Sequence, residues 1–584
     1  MTGLKKRQEI KYINILLFIA LETILFLVSI RKIYMAGNIL AWDEFGYWGN
    51  AATINGMDWS SAVSRYCGYY SYGYSILCAL LIKIFKTTVL AHKAAIIVNG
   101  ILNCLSMYFV TQIGDMAFGR QYRIQSIIVS FVALFYTNTI MQSGCAWTEC
   151  LLIFLCIFIA YLFLKLQENF SYHVFLEIII ANIYIFYVHP RTVPIFIASV
   201  VALTIYLIAN HRVDKKIILL IILSMIIFAG GWFLRIKIKN LLYIEIEDEQ
   251  LANTIAMAGP WVISKFKSIY GIADMIKTFF LRFFYFGITT FLFFFVYLFH
   301  AVKQIKENIQ MKKFECFNFW VVLSMLGIFG IMTLHLSGSG TVQNILYGRY
   351  QDIIVAVPFF MGVMIILSSE MKSKTIFVYM LCSLVIFLVG IRVIESIPIY
   401  SNYFVANCNA TLYKYYDIET KKYELMAPIL ISEATFLVVS FLSRYSADYK
   451  KIVSFFLGII VVFYCKENIE VSNLAGANTW NNAYNVEQLE GTYEKIGQLI
   501  GEDEIVYFYH DSSYGLSQQL GMWLQFYLYE KSVVVLDSEE DISNISNGFL
   551  IIPCKKTELD YAPVLNIESV PDYQEKYLAM YHIG

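Results

Sequence analysis

Charge is scarce in this chain. Only 15% of its 584 residues are Asp, Glu, Lys or Arg, where a soluble protein would carry nearer a quarter. The 44 basic and 44 acidic residues cancel, so no excess of positive charge points to nucleic acid as a partner. No CxxC pair occurs among the 11 cysteines. That argues against a zinc site or a disulfide framework. Several cysteines, such as Cys104, Cys156 and Cys382, sit inside apolar runs, where they read as small buried hydrophobes. There is no internal repeat and no low-complexity tract. The N-terminal basic patch (Lys5, Lys6, Arg7, Lys11) precedes an apolar stretch that lacks a small-residue cleavage site. It reads as an uncleaved first span.

What is abundant is hydrophobicity: 58% of residues are apolar or aromatic, and mean hydropathy is +0.60. Apolar runs of about 18 to 22 residues recur, each long enough to cross a bilayer core. They are too long and too unalternating for an outer-membrane barrel. The expected fold is an α-helical polytopic membrane protein with about thirteen transmembrane helices. The spans fall near 13–30, 93–113, 124–142, 147–165, 172–188, 192–210, 217–234, 278–300, 317–334, 351–369, 375–394, 426–443 and 451–465. With the N-terminus in the cytoplasm, the basic connections 211–216, 303–313 and 443–451 lie inside. The short outer connections then contain only Arg191 and Arg349. Arg31 and Lys32, just outside the first span, run against this orientation.

The segment YSYGYSILCALLIKIF (71–86) has too short an apolar part to cross. It reads as a surface helix within a long first outer loop, 31–92, with Tyr69, Tyr70, Tyr72 and Tyr74 suited to the headgroup region. Residues 1–465 thus form a transmembrane domain. Beyond about 466 the chain turns polar, and EIVYFYHDSS, SVVVLDSEED and GFLIIPCKK read as short buried strands. Residues 466–584 are expected to form a small extracytoplasmic α/β domain.

In this topology unusual residues collect at the outer face: Asp43 and Glu44 in AWDEFGYWGNA, Glu149 in SGCAWTE, His189 and Arg191 in VHPRTVP, and Arg349 and Tyr350 in LYGRY. Charges at such depths are costly and are kept for function or pairing. Each also has a bland role. Asp43 suits a helix N-cap, Glu149 a helix N-terminal charge, the arginines interfacial anchors, and His189 packing. Glu22 is a lone carboxylate within the first span.

These segments resemble the C-type superfamily of polytopic glycosyltransferases, which includes protein O-mannosyltransferases and lipid A aminoarabinose transferases. The resemblance is carried by the Asp-Glu pair after span one, the YSYGY helix, FGRQYR before span three, WTECLLIFL at span four, HPRTVP and YGRYQDIIVAVPFF. It covers roughly 13–370. The Pro-Pro usual before the surface helix is absent; Ser71 and Tyr72 stand near there.

The resemblance implies a sugar donor on polyprenyl phosphate, an extracytoplasmic acceptor and an external active site; the Ile- and Lys-rich composition and the lack of an organelle signal point to a plasma membrane. A base must take the acceptor proton, for which Asp43 is the candidate, with Glu44 orienting or binding. Guanidinium forks suit the departing phosphate, which points to Arg191 and Arg349 with Tyr350. Glu149 is a second acidic site. A divalent metal ion is a cofactor only if Asp43, Glu149 and His189 converge. Trp42, Tyr47, Trp48 and Trp59 serve as interfacial belt or as stacking faces for sugar. The rival readings are a transporter or lipid flippase, a glycan polymerase or ligase, and a scaffold displaying the outer domain.

Overall fold

A computed structural model describes residues 2–35, 40, 42–243, 263–311, 314–338, 340–342, 346–368, 373–398, 405–406, 409–444, 450–480, 486–501, 504–556, 561–563, 571–574 and 577–583. The helices used below are α1 (Thr2–Ser29), α2 (Trp42–Ile54), α3 (Ser60–Tyr66), α4 (Gly73–Phe85), α5 (Thr88–Phe118), α6 (Arg123–Leu134), α7 (Thr137–Gln142), α8 (Glu149–Glu168), α9 (Tyr172–Val188) and α10 (Val193–Ala209). They continue with α11 (Lys215–Leu242), α12 (Ile269–Thr289), α13 (Phe293–Gln310), α14 (Cys316–Leu336), α15 (Gly348–Gln351), α16 (Ala356–Ser368), α17 (Ser373–Glu395), α18 (Met426–Arg444), α19 (Lys450–Trp480) and α20 (Ser517–Tyr527).

Among the described residues, eight helices are long and apolar enough to cross a membrane, and two bent pairs raise the number to ten. This replaces the thirteen expected. Hydropathy sees the apolar runs but not their breaks. The run 124–142 divides at Phe135 and Tyr136 into α6 and α7. The run 278–300 turns by 116° between α12 and α13. There Phe291 and Leu292 hold φ of 50° and 66°, a left-handed pair that ends any helix. The segment 348–354 meets α16 at 57°. The run 172–188 forms a 17-residue helix, and 451–465 lies within α19, which continues to Trp480.

The expected strands form at β1 (Val506–Tyr509), β2 (Val533–Leu536) and β3 (Gly548–Lys556). β1 pairs in parallel with both β2 and β3. A final strand, β4 (Leu578–Ile583), runs antiparallel to β3. The sheet is covered by α20, which sits between β1 and β2 in sequence as a crossover helix must.

This C-terminal unit packs against the segment between α1 and α5. Trp523 donates from Nε1 to the Leu40 carbonyl (3.2 Å), Trp59 Nε1 to the Tyr529 carbonyl (2.9 Å), and Gln518 Nε2 to the Tyr66 carbonyl (3.0 Å). Trp48 meets Phe526 edge-on at 5.6 Å. Gly521 is required where α20 crosses α3: a Cβ there would lie 2.4 Å from the Tyr66 hydroxyl. The aromatics of this segment are therefore interior. Tyr47, Trp48, Trp59, Tyr69, Tyr72 and Tyr74 are all buried, which corrects both the headgroup-belt and the sugar-stacking expectations for them. The Trp42 side chain lies outside the described residues.

The docking surface mixes strong and weak contacts. The Arg65–Asp537 pair (2.7 Å) leaves its side chains 40% and 53% exposed. Such pairs contribute about 0–1 kcal/mol. Asp537→Ala should therefore leave the melting temperature nearly unchanged. Trp523→Ala should cost about 3–5 kcal/mol. Thermal unfolding in detergent compares the two directly.

Candidate active site

Asp43 and Glu44 occupy the first turn of α2. Successive helical residues point about 100° apart, so the two acids part company. Asp43 shares a face with Gly46 and Asn50, three and seven residues on, and this face meets Tyr70. The Tyr70 hydroxyl donates to Asp43 Oδ1 (2.8 Å), and Asn50 Nδ2 donates to the Tyr70 carbonyl (2.9 Å). Gly46 lets the ring approach, since a Cβ there would fall 2.1 Å from it. Burial, reinforced by Asp43, pushes the Tyr70 hydroxyl well above its usual pKa. It therefore remains a proton donor to the carboxylate.

Glu44 faces the other way. It is fully buried, with Oε1 3.0 Å from His92 Nε2 of α5 and accepting the Ala146 amide. The pair thus divides between two environments.

Glu149 opens α8, and both Arg191 and Arg349 converge on it. Its Oε1 accepts from Arg349 Nε (2.7 Å) and Arg191 Nη2 (3.1 Å). Arg349 also reaches Asp43 Oδ2 from Nη1 (2.7 Å). The result is a chain of alternating charge: Asp43, Arg349, Glu149, Arg191. Trp147 lies under the Arg349 guanidinium, 3.7 Å from ring centroid to Cζ, and Tyr350 lies under Arg191 at 4.5 Å. The side chains of Glu149, Arg349 and Arg191 are 1%, 2% and 5% exposed, whereas Asp43 is 28% exposed. Asp43 is thus the acid of the cluster that a substrate can reach. On Arg191, Nε and Nη1 have no hydrogen-bond partner among the described residues.

His189 caps the 3-10 turn Pro190–Thr192, its Nδ1 accepting the Arg191 amide (3.2 Å). Burial and the neighbouring Arg191 and Arg349 push its pKa well below 6.5. The unfolded chain therefore binds this proton more readily, and the contribution to stability is complete above about pH 6.5 and lost as pH falls below it. His189→Gln keeps an acceptor for the Arg191 amide. Its melting temperature should fall less than that of wild type between pH 7 and pH 5.

Asp43 and Glu149 are bridged by a guanidinium, and His189 spends Nδ1 on a backbone amide. Among the described residues no group of three or more His, Cys, Asp or Glu could hold a metal ion. The residues do not fit the divalent-metal expectation. A cavity of about 530 Å³, lined mostly by apolar side chains, lies among α6, α16, α18 and α19. None of the four cluster charges lines it.

Sequence reasoning missed Trp147 and His92, and it read Tyr70 as a headgroup residue where it is the hydrogen-bond donor to Asp43. A Trp two residues before Glu149 was visible in CAWTE, but nothing in the sequence marks it as a partner for a distant arginine. Arg31 was read as a topology signal. It is a clasp instead: it donates to Asn473 Oδ1 (2.8 Å), Ser472 Oγ (2.6 Å) and the Ile140 carbonyl (3.1 Å), tying α19 to α1 and α7. Glu22 remains in α1, where Cys104 Sγ approaches its carbonyl at 3.5 Å.

No protein-family model matches the sequence, and no curated protein matches it. Among solved structures the chain is similar to ArnT from Cupriavidus metallidurans bound to undecaprenyl phosphate, at 10% identity over 97% of each chain and a TM-score of 0.52. The apo state of that protein gives 11% identity over the same shares and a TM-score of 0.51. An oligosaccharyltransferase from Archaeoglobus fulgidus, tethered with an acceptor peptide, matches at 10% identity, 92% of this chain, 69% of that one and a TM-score of 0.42. The likeness is one of fold: over nearly its whole length this chain shares the fold of ArnT.

Proposed function

We infer that the protein is a membrane glycosyltransferase that moves a sugar from a polyprenyl-phosphate donor to an extracytoplasmic acceptor. The N-terminus is cytoplasmic, and the C-terminal α/β unit stands outside the plasma membrane. The observation that carries this reading is the union of a reachable carboxylate, Asp43, with two buried guanidiniums in one cluster. The undecaprenyl phosphate bound to ArnT, whose fold this chain shares, supports the choice of donor.

The acceptor hydroxyl attacks the anomeric carbon while Asp43 takes its proton. The bond from that carbon to the phosphate oxygen breaks, and its electron pair leaves with polyprenyl phosphate. Direct displacement inverts the anomeric centre. Arg191, with two donors unspent, meets the charge growing on the phosphate, where such stabilisation is a large catalytic contribution. Arg349 already spans Asp43 and Glu149. A phosphate oxygen that takes its Nη1 leaves Asp43 held by Tyr70 and free to act as base. Glu149, saturated by both arginines, orients them, and Glu44 fixes α2 through His92.

Purified protein supplied with polyprenyl-phosphate hexoses and cell-envelope extract should release polyprenyl phosphate. Flipping of labelled lipid without release would favour the transporter reading.

A further inference from the structure

Arg349 rides on α15, a helix of a single turn. A turn this short has almost no stability of its own, so its placement must come from its surroundings. The scheme above leaves those surroundings unused. Asp352, buried just past α15, accepts from Asn138 Nδ2 (2.7 Å) and Tyr285 Oη (2.9 Å) at Oδ2, and from Tyr136 Oη (3.2 Å) at Oδ1. Arg282, fully buried on α12 one turn before Tyr285, donates from Nη1 to the Leu346 carbonyl (2.7 Å). Gln351 Nε2 reaches that carbonyl at 2.8 Å. The Gly348 amide donates to Asn409 Oδ1 (3.0 Å). Gly348 also has no room for a side chain, because a Cβ would lie 2.1 Å from Tyr285 Oη.

Each of these bonds ends within three residues of Arg349. Polar groups buried in membrane-spanning helices are costly and are usually kept for pairing or function. Here α12 spends two of them, Arg282 and Tyr285, on the two ends of one short segment. We propose that Asp352, Tyr285 and Arg282 are positioning residues for Arg349, locking the Leu346–Asp352 segment so that the guanidinium stands between Asp43 and Glu149. The proposal rests on the transfer reading for its consequence. A displacement of about 1 Å in such a group can cost on the order of a hundredfold in rate.

Two substitutions separate positioning from general support. Asp352→Asn keeps an oxygen for Tyr285 and Asn138 and turns an amide toward the Tyr136 hydroxyl. Asp352→Leu removes every bond. Full-length protein assayed for polyprenyl-phosphate release should show kcat reduced at least ~30-fold by Asp352→Leu, with the donor KM within ~3-fold, and Asp352→Asn within ~5-fold of wild type. In an Arg349→Gln background, Asp352→Leu should have no further effect on kcat, because its target is already gone. Equal losses in both backgrounds, or no loss in either, would overturn the proposal. If Asp352→Leu does not fold, Tyr285→Phe deletes one hydroxyl and enters the same cycle.

If wild type releases no polyprenyl phosphate from any donor, the transfer reading fails by itself. The positioning claim is then decided by a cryo-EM structure of Tyr285→Phe. Arg349 Nε leaving Glu149 Oε1 supports it, and an unmoved ion pair overturns it.

Discussion

Asp43→Asn is expected to slow release of polyprenyl phosphate by on the order of 10²–10⁴-fold, the range associated with loss of a general base. The loss should come without unfolding. Asp43 is partly exposed, and an asparagine oxygen can still accept from Arg349 Nη1 or Tyr70 Oη, the two partners it has now. The neighbouring Glu44→Gln should behave in the opposite way. Glu44 is fully buried against His92 and the Ala146 amide. Its neutral replacement lowers the melting temperature while turnover per folded molecule stays near that of wild type. Kinetics and thermal unfolding on both variants give a crossed pattern. Turnover that survives Asp43→Asn would transfer the base role to another carboxylate, and Glu149, closed in by two guanidiniums, is poorly placed to take it.

The acids and arginines of this cluster were legible in the sequence for a physical reason. In a chain with so little charge, a carboxylate or guanidinium at the mouth of an apolar run stands out, because the membrane makes it costly. Asp43, Glu149, Arg191 and Arg349 were found that way, and the structure draws all four together. The three strands of the C-terminal unit were legible from their short apolar runs. The closing strand Leu578–Ile583 was not, since LAMYHI contains no alternation to betray it.

What stayed hidden depends on partners far away in the chain. Trp147 matters because Arg349, some two hundred residues later, lies on its face. Asp352 reads as a polar interruption at the start of an apolar run until Tyr136, Asn138 and Tyr285 are seen to close over it. The aromatics of the first loop have the composition of an interfacial belt, and only contacts with distant elements make them interior: Trp48 meets Phe526 of α20, Tyr69 meets Tyr243 and Tyr72 meets Tyr187. The bends at Phe291–Leu292 and after Ile354 are conformational events inside apolar sequence, to which hydropathy is blind.

Glu149→Ala should be the most destabilising single change in the cluster. One oxygen, Oε1, serves both Arg191 and Arg349, and all three side chains are almost fully buried. Removing it leaves two guanidiniums with one remaining carboxylate, Asp43, which reaches only Arg349. Stripping one partner from a buried ion pair costs roughly 3–5 kcal/mol, because the orphaned charge has lost its water as well as its partner. Arg191, with two donors already unpartnered, would bear that charge. The same reasoning predicts a recovery. Glu149→Gln combined with Arg191→Gln leaves Arg349 paired with Asp43 and no uncompensated charge, so the double variant should melt above Glu149→Gln alone although it lacks activity. Differential scanning fluorimetry in detergent, at fixed pH and low salt, measures Glu149→Ala, Glu149→Gln, Arg191→Gln and the double variant. If the double variant melts lower than Glu149→Gln by the full cost of Arg191→Gln alone, the two sites are independent, and the shared oxygen is not what holds the arginines together.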